Sequence, residues 1–280
     1  MTEASHDTVS AVSPNSSVAV VTGAARGFGR EIARRLLARG HRVIITDLDA
    51  DAVTATAAEL AASGGDVTAI VADARSAADH RRVAAVAAEL GPVTVWVNNA
   101  GVLRSGRAWG QPEQDQVLMV DVNVMGVVHG SRAAVELMRE HGGHLLNIAS
   151  MSAHGPVPGL AVYAATKSAV LTFSTSLQGD LDLARVPIRV HALCPDAADT
   201  ALVRDEQASP DVAILFSQRT LLTPGAVADA AVALLDGRRV VRSLPTHRAG
   251  LMRLGSLLPR VALPVLALLR SRGDRRRIRS

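Results

Sequence analysis

The feature that most constrains the fold of this chain is a series of continuous runs of valine, isoleucine and leucine, each followed by a segment with helical spacing. Runs without polar alternation are typical of strands buried on both faces, as in a parallel sheet covered by helices. The sequence therefore predicts an α/β protein with a doubly wound parallel sheet. The predicted strands are 17–23, 41–47, 67–73, 93–101, 143–150 and 186–195, and the predicted helices are about 30–40, 49–62, 76–90, 112–140, 159–184 and 223–237.

The chain of 280 residues is predicted to form one domain with two flanking segments. Residues 1–16 carry acidic residues and no apolar run, so we expect a disordered tail rather than a signal peptide. Residues 17–243 form the predicted domain, with a helical lid at about 199–222. Residues 244–280 form a C-terminal extension that is first apolar and then rich in arginine. The single cysteine, Cys194, excludes an intramolecular disulfide and favours a reducing cytoplasm.

The turn TGAARGFG, at 22–29, joins the first predicted strand to the first predicted helix. Its glycines let the backbone turn sharply and let a pyrophosphate approach the helix N-terminus, where free N–H groups favour an anion. Any tight strand-to-helix turn also favours glycine, and the spacing here differs from G-x-G-x-x-G. The place of the turn, directly after a buried strand, favours a dinucleotide-binding Rossmann fold.

Two charged residues bear on the choice of dinucleotide. Asp47 ends the second predicted strand, where a carboxylate can accept hydrogen bonds from both ribose hydroxyls of an adenosine and would repel a 2′-phosphate. Arg26, within the turn, could instead pair with a 2′-phosphate. The carboxylate favours NAD, and NADP stays open. No metal site is predicted.

Tyr163 and Lys167 are the only tyrosine and the only lysine of the chain. Their spacing places both side chains on one face of a helix. A nearby ammonium stabilises a phenolate, so Lys167 is expected to lower the pKa of Tyr163 from about 10 towards neutrality, which suits proton transfer. The alternative is a core tyrosine beside a surface lysine. Because every other cation is arginine, the retained lysine favours a specific need for an ammonium.

Together these motifs resemble the short-chain dehydrogenase/reductase family. The resemblance covers about residues 17–237 and implies a single-domain Rossmann fold, an NAD(P)-dependent oxidoreductase acting on CH–OH groups, and a homodimer or homotetramer. The motifs that carry it, in chain order, are TGAARGFG, Asp73, NNAG at 98–101, Asn123, Ser150 and YAATK at 163–167.

The resemblance also implies a role for each matching residue. Tyr163 would be the general acid/base, Lys167 would lower its pKa and bind the nicotinamide ribose, and Ser150 would hydrogen-bond the substrate oxygen. Asn123 would hold a water that links Lys167 to solvent. Ser152 is an alternative source of the hydroxyl group, but Ser150 is favoured because it lies at the end of the predicted strand. The cofactor-binding residues implied, besides Tyr163 and Lys167, are Gly23, Arg26, Gly27, Phe28, Gly29, Asp47, Leu48, Asp73, Ala74, Asn99, Ala100, Gly101, Pro195 and Thr200.

One position departs from the family pattern, which usually has Pro-Gly after the sixth strand. Here Pro195 is followed by Asp196. We expect Asp196 to adopt a backbone conformation that glycine adopts freely, which aspartate tolerates better than most residues. Its carboxylate is expected near the nicotinamide, where it would favour the cationic oxidised form.

Residues 201–222 lie where the family has its variable substrate lid, and their apolar side chains predict a hydrophobic alcohol or ketone as substrate. The alternative, that they only pack the lid onto the domain, stays open. The residues expected to line this pocket are Met151, Val157, Leu160, Leu202 and Phe216, with Val203, Ile214 and Leu215 beside them.

The extension joins an apolar stretch, 257–269, to a cluster of six arginines and one aspartate at 270–280. The stretch is too short to span a bilayer. Pocket cover or an oligomer contact is the favoured interpretation of the apolar part. Peripheral contact with an anionic membrane and a disordered basic end are the alternatives. The basic run lacks interleaved aromatics, so no nucleic-acid partner is predicted.

The leading functional hypothesis is an enzyme that interconverts a secondary alcohol and a ketone. Two alternatives stay open, a non-catalytic dinucleotide-binding sensor or scaffold and a reductase of an activated double bond. The sensor hypothesis predicts loss of catalytic residues, whereas Asn123, Ser150, Tyr163 and Lys167 are all present.

Overall fold

One sheet of seven parallel strands forms the centre of the computed structural model, which describes residues 17–218 and 220–277. The strand order β3-β2-β1-β4-β5-β6-β7 changes direction between β1 and β4, which makes the sheet doubly wound. This confirms the predicted Rossmann-type α/β class. The predicted tail at 1–16 lies outside the described residues. The strands are β1 Val18–Thr22, β2 Arg42–Asp47, β3 Val67–Val71, β4 Val93–Asn98, β5 Gly143–Ile148, β6 Ile188–Pro195 and β7 Val241–Leu244.

Helices cover both faces of the sheet, because the strands are apolar on both faces and leave two surfaces to be buried. One apolar cluster joins one face to side chains such as Ile32, Leu36 and Val227. A second joins the other face to side chains such as Ala134 and Met138. The helices are α1 Gly27–Ala38, α2 Ala50–Ala62, α3 Ala77–Leu90, α4 Glu113–Val120, α5 Gly126–Met138, α6 Ala161–Leu183, α7 Ala201–Arg204, α8 Pro224–Leu234, α9 Thr246–Leu257 and α10 Pro259–Arg277.

The single helix predicted over 112–140 is divided. Between α4 and α5 the backbone forms a π-helical turn over Asp121–Met125. A π turn changes the period of the helix, and such turns are frequent at functional sites. Asn123 lies in this turn and is fully buried, although its sequence context alone predicts a helix surface.

Strand β7 was not predicted from the sequence. It pairs with the end of β6, with Val241 opposite Ala192 and Leu244 opposite Pro195. Four residues with a polar Arg242 and Ser243 among them carry too weak a pattern to be distinguished from a loop. The strand matters for the site because α9 and α10 follow directly from it.

A chain of buried polar side chains crosses from β4 to β5 and on to α6. The Trp96 indole donates to Asn98 Oδ1 at 2.9 Å, and the Asn98 amide donates to Asn147 Oδ1 at 2.8 Å. The Asn147 amide then donates to Ser174 Oγ at 2.9 Å. Since Asn98 and Asn147 are register partners, this chain fixes how β4 and β5 align where both strands end.

Candidate active site

A cavity of about 730 Å³ lies along the carboxyl ends of the strands. Its polar part, which we call the loop half, is lined by Gly23, Arg26, Gly27, Phe28, Asp47, Leu48, Asp49, Asp73, Ala74, Arg75, Asn99, Ala100 and Gly101. Its apolar part, which we call the lid half, is lined by Met151, Val157, Leu202, Val203, Ile214, Leu215, Met252, Leu266 and Leu269. Ser150, Tyr163 and Lys167 also line the cavity.

The glycine turn brings the backbone of the loop half close to a ligand. Gly23 has a φ of +61°, and a Cβ there would lie 2.6 Å from the Cα of Ala100. Helix α1 begins at Gly27, and its N-cap residue, Arg26, makes no side-chain capping bond. The first N–H groups of α1 therefore have no side-chain acceptor from this cap, and Gly27 and Phe28 line the cavity at this helix end. These donors fit a pyrophosphate.

Carboxylates lie at the far end of the loop half. Asp47 accepts hydrogen bonds from the Ala25 N–H at 3.1 Å and the Asp49 N–H at 3.3 Å, so it also holds the glycine turn against β2. A carboxylate has about four acceptor positions, which leaves about two for a ligand. Asp73 is paired with Arg75 at 2.6 Å, and this guanidinium lowers the pKa of the Asp73 carboxyl. Arg26 is exposed at the cavity, and so is Leu48.

Ser150, Tyr163 and Lys167 meet where the two halves of the cavity join. Ser150 follows β5, and α6 carries the other two residues one turn apart. The Ser150 side chain hydrogen-bonds the Tyr163 phenol. Lys167 Nζ lies 5.8 Å from the centroid of the Tyr163 ring and donates to the carbonyl of Ile148 at 3.0 Å. Lys167 is therefore a buried residue of the cavity wall rather than a surface residue of the helix.

The pKa of Tyr163 differs from the expectation drawn from the sequence. Burial raises it to about 12, although the hydrogen bond from Ser150 acts in the opposite direction. Burial also lowers the pKa of Lys167 to about 8. Removing each group from water disfavours its charged form, and this cost is the largest cause of both pKa shifts. The pKa of Tyr163 therefore moves in the direction opposite to the one expected from a neighbouring ammonium.

Ser152 and Asn123 lie on either side of this group. The Ser152 hydroxyl is buried at the cavity without a hydrogen-bond partner, whereas the Ser150 hydroxyl has the phenol as its partner. The Asn123 side chain accepts from the Val102 N–H at 2.8 Å and donates to the Val102 carbonyl at 2.9 Å and the Thr166 hydroxyl at 3.1 Å. Asn123 thus fastens the loop after β4 to α6.

Asp196 does not take the conformation expected from its family position. Among the described residues Arg185 is the only non-glycine residue with a positive φ, so Asp196 needs no glycine-like backbone. Its carboxylate accepts from the Ala197 N–H at 2.8 Å and forms an ion pair with Arg248 at 2.8 Å. Burial raises the pKa of Asp196, and Arg248 opposes that rise. The pair offsets the isolated negative charge that would favour oxidised nicotinamide.

Four residues singled out from the sequence do not line the cavity. Gly29 packs behind the glycine turn, where a Cβ would lie 2.6 Å from the Asn99 amide nitrogen. Asn123 is buried behind Val102. Leu160 and Phe216 pack with Tyr163 in the apolar cluster beneath the lid. Every other candidate lines the cavity, including Pro195 and Thr200.

The extension contributes cavity residues that were not singled out from the sequence, namely Arg248, Met252, Leu266 and Leu269. Helix α10 packs on the lid segment Pro210–Ser217. Arg270 forms an ion pair with Asp211, and Arg276 donates to the Ser217 carbonyl at 2.6 Å. A Cβ at Gly273 would overlap the Ala213 carbonyl, so only glycine permits this close approach. The spacing of Leu266, Leu269 and Gly273 was the available signal, but their partner could not be predicted from it.

The family is shown by comparison with known proteins. The family model described as short chain dehydrogenase matches residues 17–211. The chain belongs to the short-chain dehydrogenase family. It is 42% identical over 193 residues to 1-deoxy-11-beta-hydroxypentalenate dehydrogenase of Streptomyces avermitilis, covering 67% of this chain and 71% of that protein. It is 34% identical over 255 residues to the probable oxidoreductase EphD of Mycobacterium bovis, but it spans only 43% of that longer protein.

Solved structures show the same fold. A short-chain dehydrogenase/reductase from Burkholderia phymatum in complex with NAD superposes with a TM-score of 0.80 at 28% identity, covering 87% of this chain and 94% of that one. A variant of actinorhodin polyketide ketoreductase with NADPH superposes with a TM-score of 0.73 at 30% identity, covering 82% of this chain and 96% of that one. The chain is thus a member of a family of oxidoreductases.

Proposed function

We propose that this protein is an NAD(P)-dependent oxidoreductase that interconverts a secondary alcohol and a ketone on a hydrophobic small molecule. The observation that carries the proposal is the hydrogen-bonded pair of Ser150 and Tyr163, with buried Lys167 beside it, at the junction of a polar and an apolar half of one cavity. A substrate oxygen placed at this junction would meet two hydroxyl groups.

The loop half suits a dinucleotide. The N-terminus of α1, which has no side-chain cap, would bind the pyrophosphate. Asp47 would accept hydrogen bonds from the hydroxyl groups of the adenosine ribose. When bound, the nicotinamide would accept or supply the hydride. Asp47 would repel a 2′-phosphate, so we propose NAD as the preferred form, with exposed Arg26 as the feature that would admit NADP.

The protonation of Tyr163 favours one direction at neutral pH. With a pKa raised to about 12, the phenol keeps its proton and can donate it to a ketone oxygen. An ammonium that lies about 6 Å from the ring centroid stabilises a phenolate charge spread over that ring by about 3 kcal/mol at an effective dielectric constant of about 20. That corresponds to about a hundredfold in the ionisation constant, too little to bring the pKa to neutrality. A phenol that keeps its proton at neutral pH suits ketone reduction, and alcohol oxidation should become faster as the pH rises.

The lid half supports a hydrophobic substrate. The nine apolar residues named above come from the lid, from the loop before α6 and from the extension. The lid and the extension also bring polar residues to the cavity wall, among them Asp205, Ser217 and Arg248. Burying apolar substrate surface there contributes about 25 cal/mol for each Å² removed from water. The relatives support the reaction class, because their names refer to a hydroxypentalenate dehydrogenase and a polyketide ketoreductase.

A turnover assay tests this proposal. Purified protein would be given NADH or NADPH with lipophilic ketones, and NAD or NADP with the matching alcohols. We expect turnover with one or more substrates and a loss on the order of 10²–10⁴-fold in Tyr163→Phe. Activity that survives Tyr163→Phe would contradict the mechanism. Dinucleotide binding without turnover of any substrate would favour a non-catalytic dinucleotide-binding sensor or scaffold. Turnover only of substrates with conjugated double bonds would favour a reductase of activated double bonds.

The assembly state belongs to the same proposal. The family resemblance favours a homodimer or a homotetramer, and light scattering after gel filtration would measure the mass directly. A monomer at working concentration would contradict this part without affecting the chemistry.

A further inference from the structure

The two helices of the extension carry an unusual share of the exposed apolar surface. Of the fifteen large hydrophobic side chains that are exposed among the described residues, eight lie between 251 and 268. They are Leu251, Leu254, Leu257, Leu258, Val261, Leu263, Val265 and Leu268, each 46–76% exposed. Isolated exposed leucines are ordinary, but a contiguous group marks an interaction surface.

Helix α10 uses its two faces differently. Leu266, Leu269 and Gly273, spaced by three and four residues, face the lid and the cavity. The same spacing, shifted by one residue, places Val265, Leu268 and Arg272 on the outer face, and all three are exposed. The lid packs only against the inner face of α10. The outer face therefore stays exposed to solvent.

The C-terminal extension is strongly positive in sequence. Residues 246–280 contain nine arginines and a single acidic residue, Asp274. The preceding residues contain the other 21 cations and 25 acids. Arg253, Arg260, Arg272, Arg275 and Arg276 are exposed on the extension, next to the apolar side chains. An isologous contact with a second copy would bring these cations together, whereas an anionic surface would be attracted.

We propose that the outer face of α9 and α10 docks on the surface of an anionic lipid bilayer. The leucines and valines would enter the boundary between headgroups and acyl chains, and the arginines would lie at the lipid phosphates. None of the helices in the described parts of the chain combines enough length with enough apolar character to cross a bilayer, so the helices would lie along its surface.

The position of this face also suggests a route for substrate. Leu266 and Leu269, on the inner side of the helix that would touch the lipid, are part of the cavity wall. A lipophilic substrate dissolved in the bilayer would therefore be one helix away from the lid half. This second statement rests on the proposed function, but docking itself does not.

Vesicle co-sedimentation of the full-length protein tests the docking. The vesicles are phosphatidylcholine alone, or equal parts of phosphatidylcholine and phosphatidylglycerol. We expect wild-type protein to partition at least roughly tenfold more strongly to the anionic vesicles, and to be released at about 1 M salt, where charges are screened within about 3 Å. Since sedimentation needs no turnover, its failure is distinguishable from failure of the proposed enzyme.

Matched variants locate the contact. Leu257→Glu combined with Val261→Glu should lower partitioning roughly tenfold or more, because both side chains would carry charge into the lipid boundary. Leu183→Glu is the control, since Leu183 is 87% exposed on α6, outside the extension. The double variant Arg272→Gln with Arg275→Gln tests the electrostatic contribution separately. It should weaken binding to anionic vesicles without changing the apolar surface.

Three results would overturn the proposal. In the first, wild-type protein remains in the supernatant or binds both kinds of vesicle equally. In the second, the extension variants and the Leu183→Glu control bind alike. In the third, the wild-type protein does not bind vesicles, and light scattering shows that Leu257→Glu with Val261→Glu converts an oligomer into monomers. The outer face would then be a contact between copies of this chain.

Discussion

The two halves of the cavity are built in different ways. The loop half comes from short turns at the ends of β1, β2, β3 and β4, and each turn supplies its residues within a few positions of a strand. The lid half gathers side chains from segments far apart in sequence, including Met151, Leu202 and Leu266. A local motif can therefore specify what the loop half binds, whereas the contents of the lid half depend on how α10 packs against the lid. Ser150, Tyr163 and Lys167 lie where the two halves join, and substitutions there are expected to change activity most.

Replacing Lys167 by arginine tests the junction. The variant keeps a positive charge, but a planar guanidinium cannot occupy the buried site from which the ammonium donates to Ile148. We expect kcat to fall on the order of 10²–10⁴-fold. Arg132→Lys, on the exposed side of α5, is the control and should leave kcat unchanged. Near-normal turnover in Lys167→Arg would mean that charge alone is required there.

Asp47→Asn should alter the loop half and leave the lid half as it is. Loss of the carboxylate removes its repulsion of a 2′-phosphate, so the ratio of kcat/KM for NADPH over NADH should rise roughly 10- to 100-fold. The amide oxygen can still accept from the Ala25 N–H, so the glycine turn should keep its shape, while the weaker bond from the Asp49 N–H to the other carboxylate oxygen is lost. Asp49→Asn lines the same half and is the matched control. An equal change in both variants would indicate a general charge effect.

The stability of the junction should depend on pH through Lys167. Folding lowers its pKa from 10.5 to about 8, so the folded state binds fewer protons than the unfolded state between these values. Stability contributed by this group therefore rises with pH across that window and is at its lowest below pH 8. Lys167→Met should raise the free energy of unfolding at about pH 7 by about 2 kcal/mol, after subtracting the lost bond to Ile148.

Urea denaturation at about pH 7 and about pH 10 measures this effect, because the two values bracket the titration of the buried amine. The advantage of Lys167→Met over the wild type should shrink as the pH rises, because the wild type then folds with a neutral amine. The same difference at both values would show that packing, rather than protonation, distinguishes the two proteins.

Leu269→Ala should change the lid half alone. The shortened side chain enlarges the apolar pocket, so kcat/KM for a bulkier ketone relative to a smaller one should rise roughly tenfold, while KM for the dinucleotide stays constant. Leu268→Ala is a matched control on the outer face of the same helix. If both variants gave the same specificity, α10 would not form part of the pocket wall.

The same contrast explains what the sequence could predict. Six of the seven strands and the positions of Gly23, Asp47, Tyr163 and Lys167 follow from local patterns, because buried runs and strand ends are specified by neighbouring residues. Helix α10 showed an apolar spacing, but which surface it would bury against depended on a contact with the lid, a segment distant in the chain. The raised pKa of Tyr163 was likewise missed, since spacing reveals a neighbouring charge and says nothing of how much water remains around it.

The buried polar chain beneath the site has a direction. An indole can only donate, so Trp96 requires Asn98 to turn its oxygen towards it, and Asn98 must then offer its amide to Asn147. Asn147 in turn offers its amide to Ser174. One donor-only ring therefore sets the orientation of every amide after it. An aspartate in place of Asn98 would present an acceptor to an acceptor, and the ends of β4 and β5 would lose the bond that aligns the residues following them.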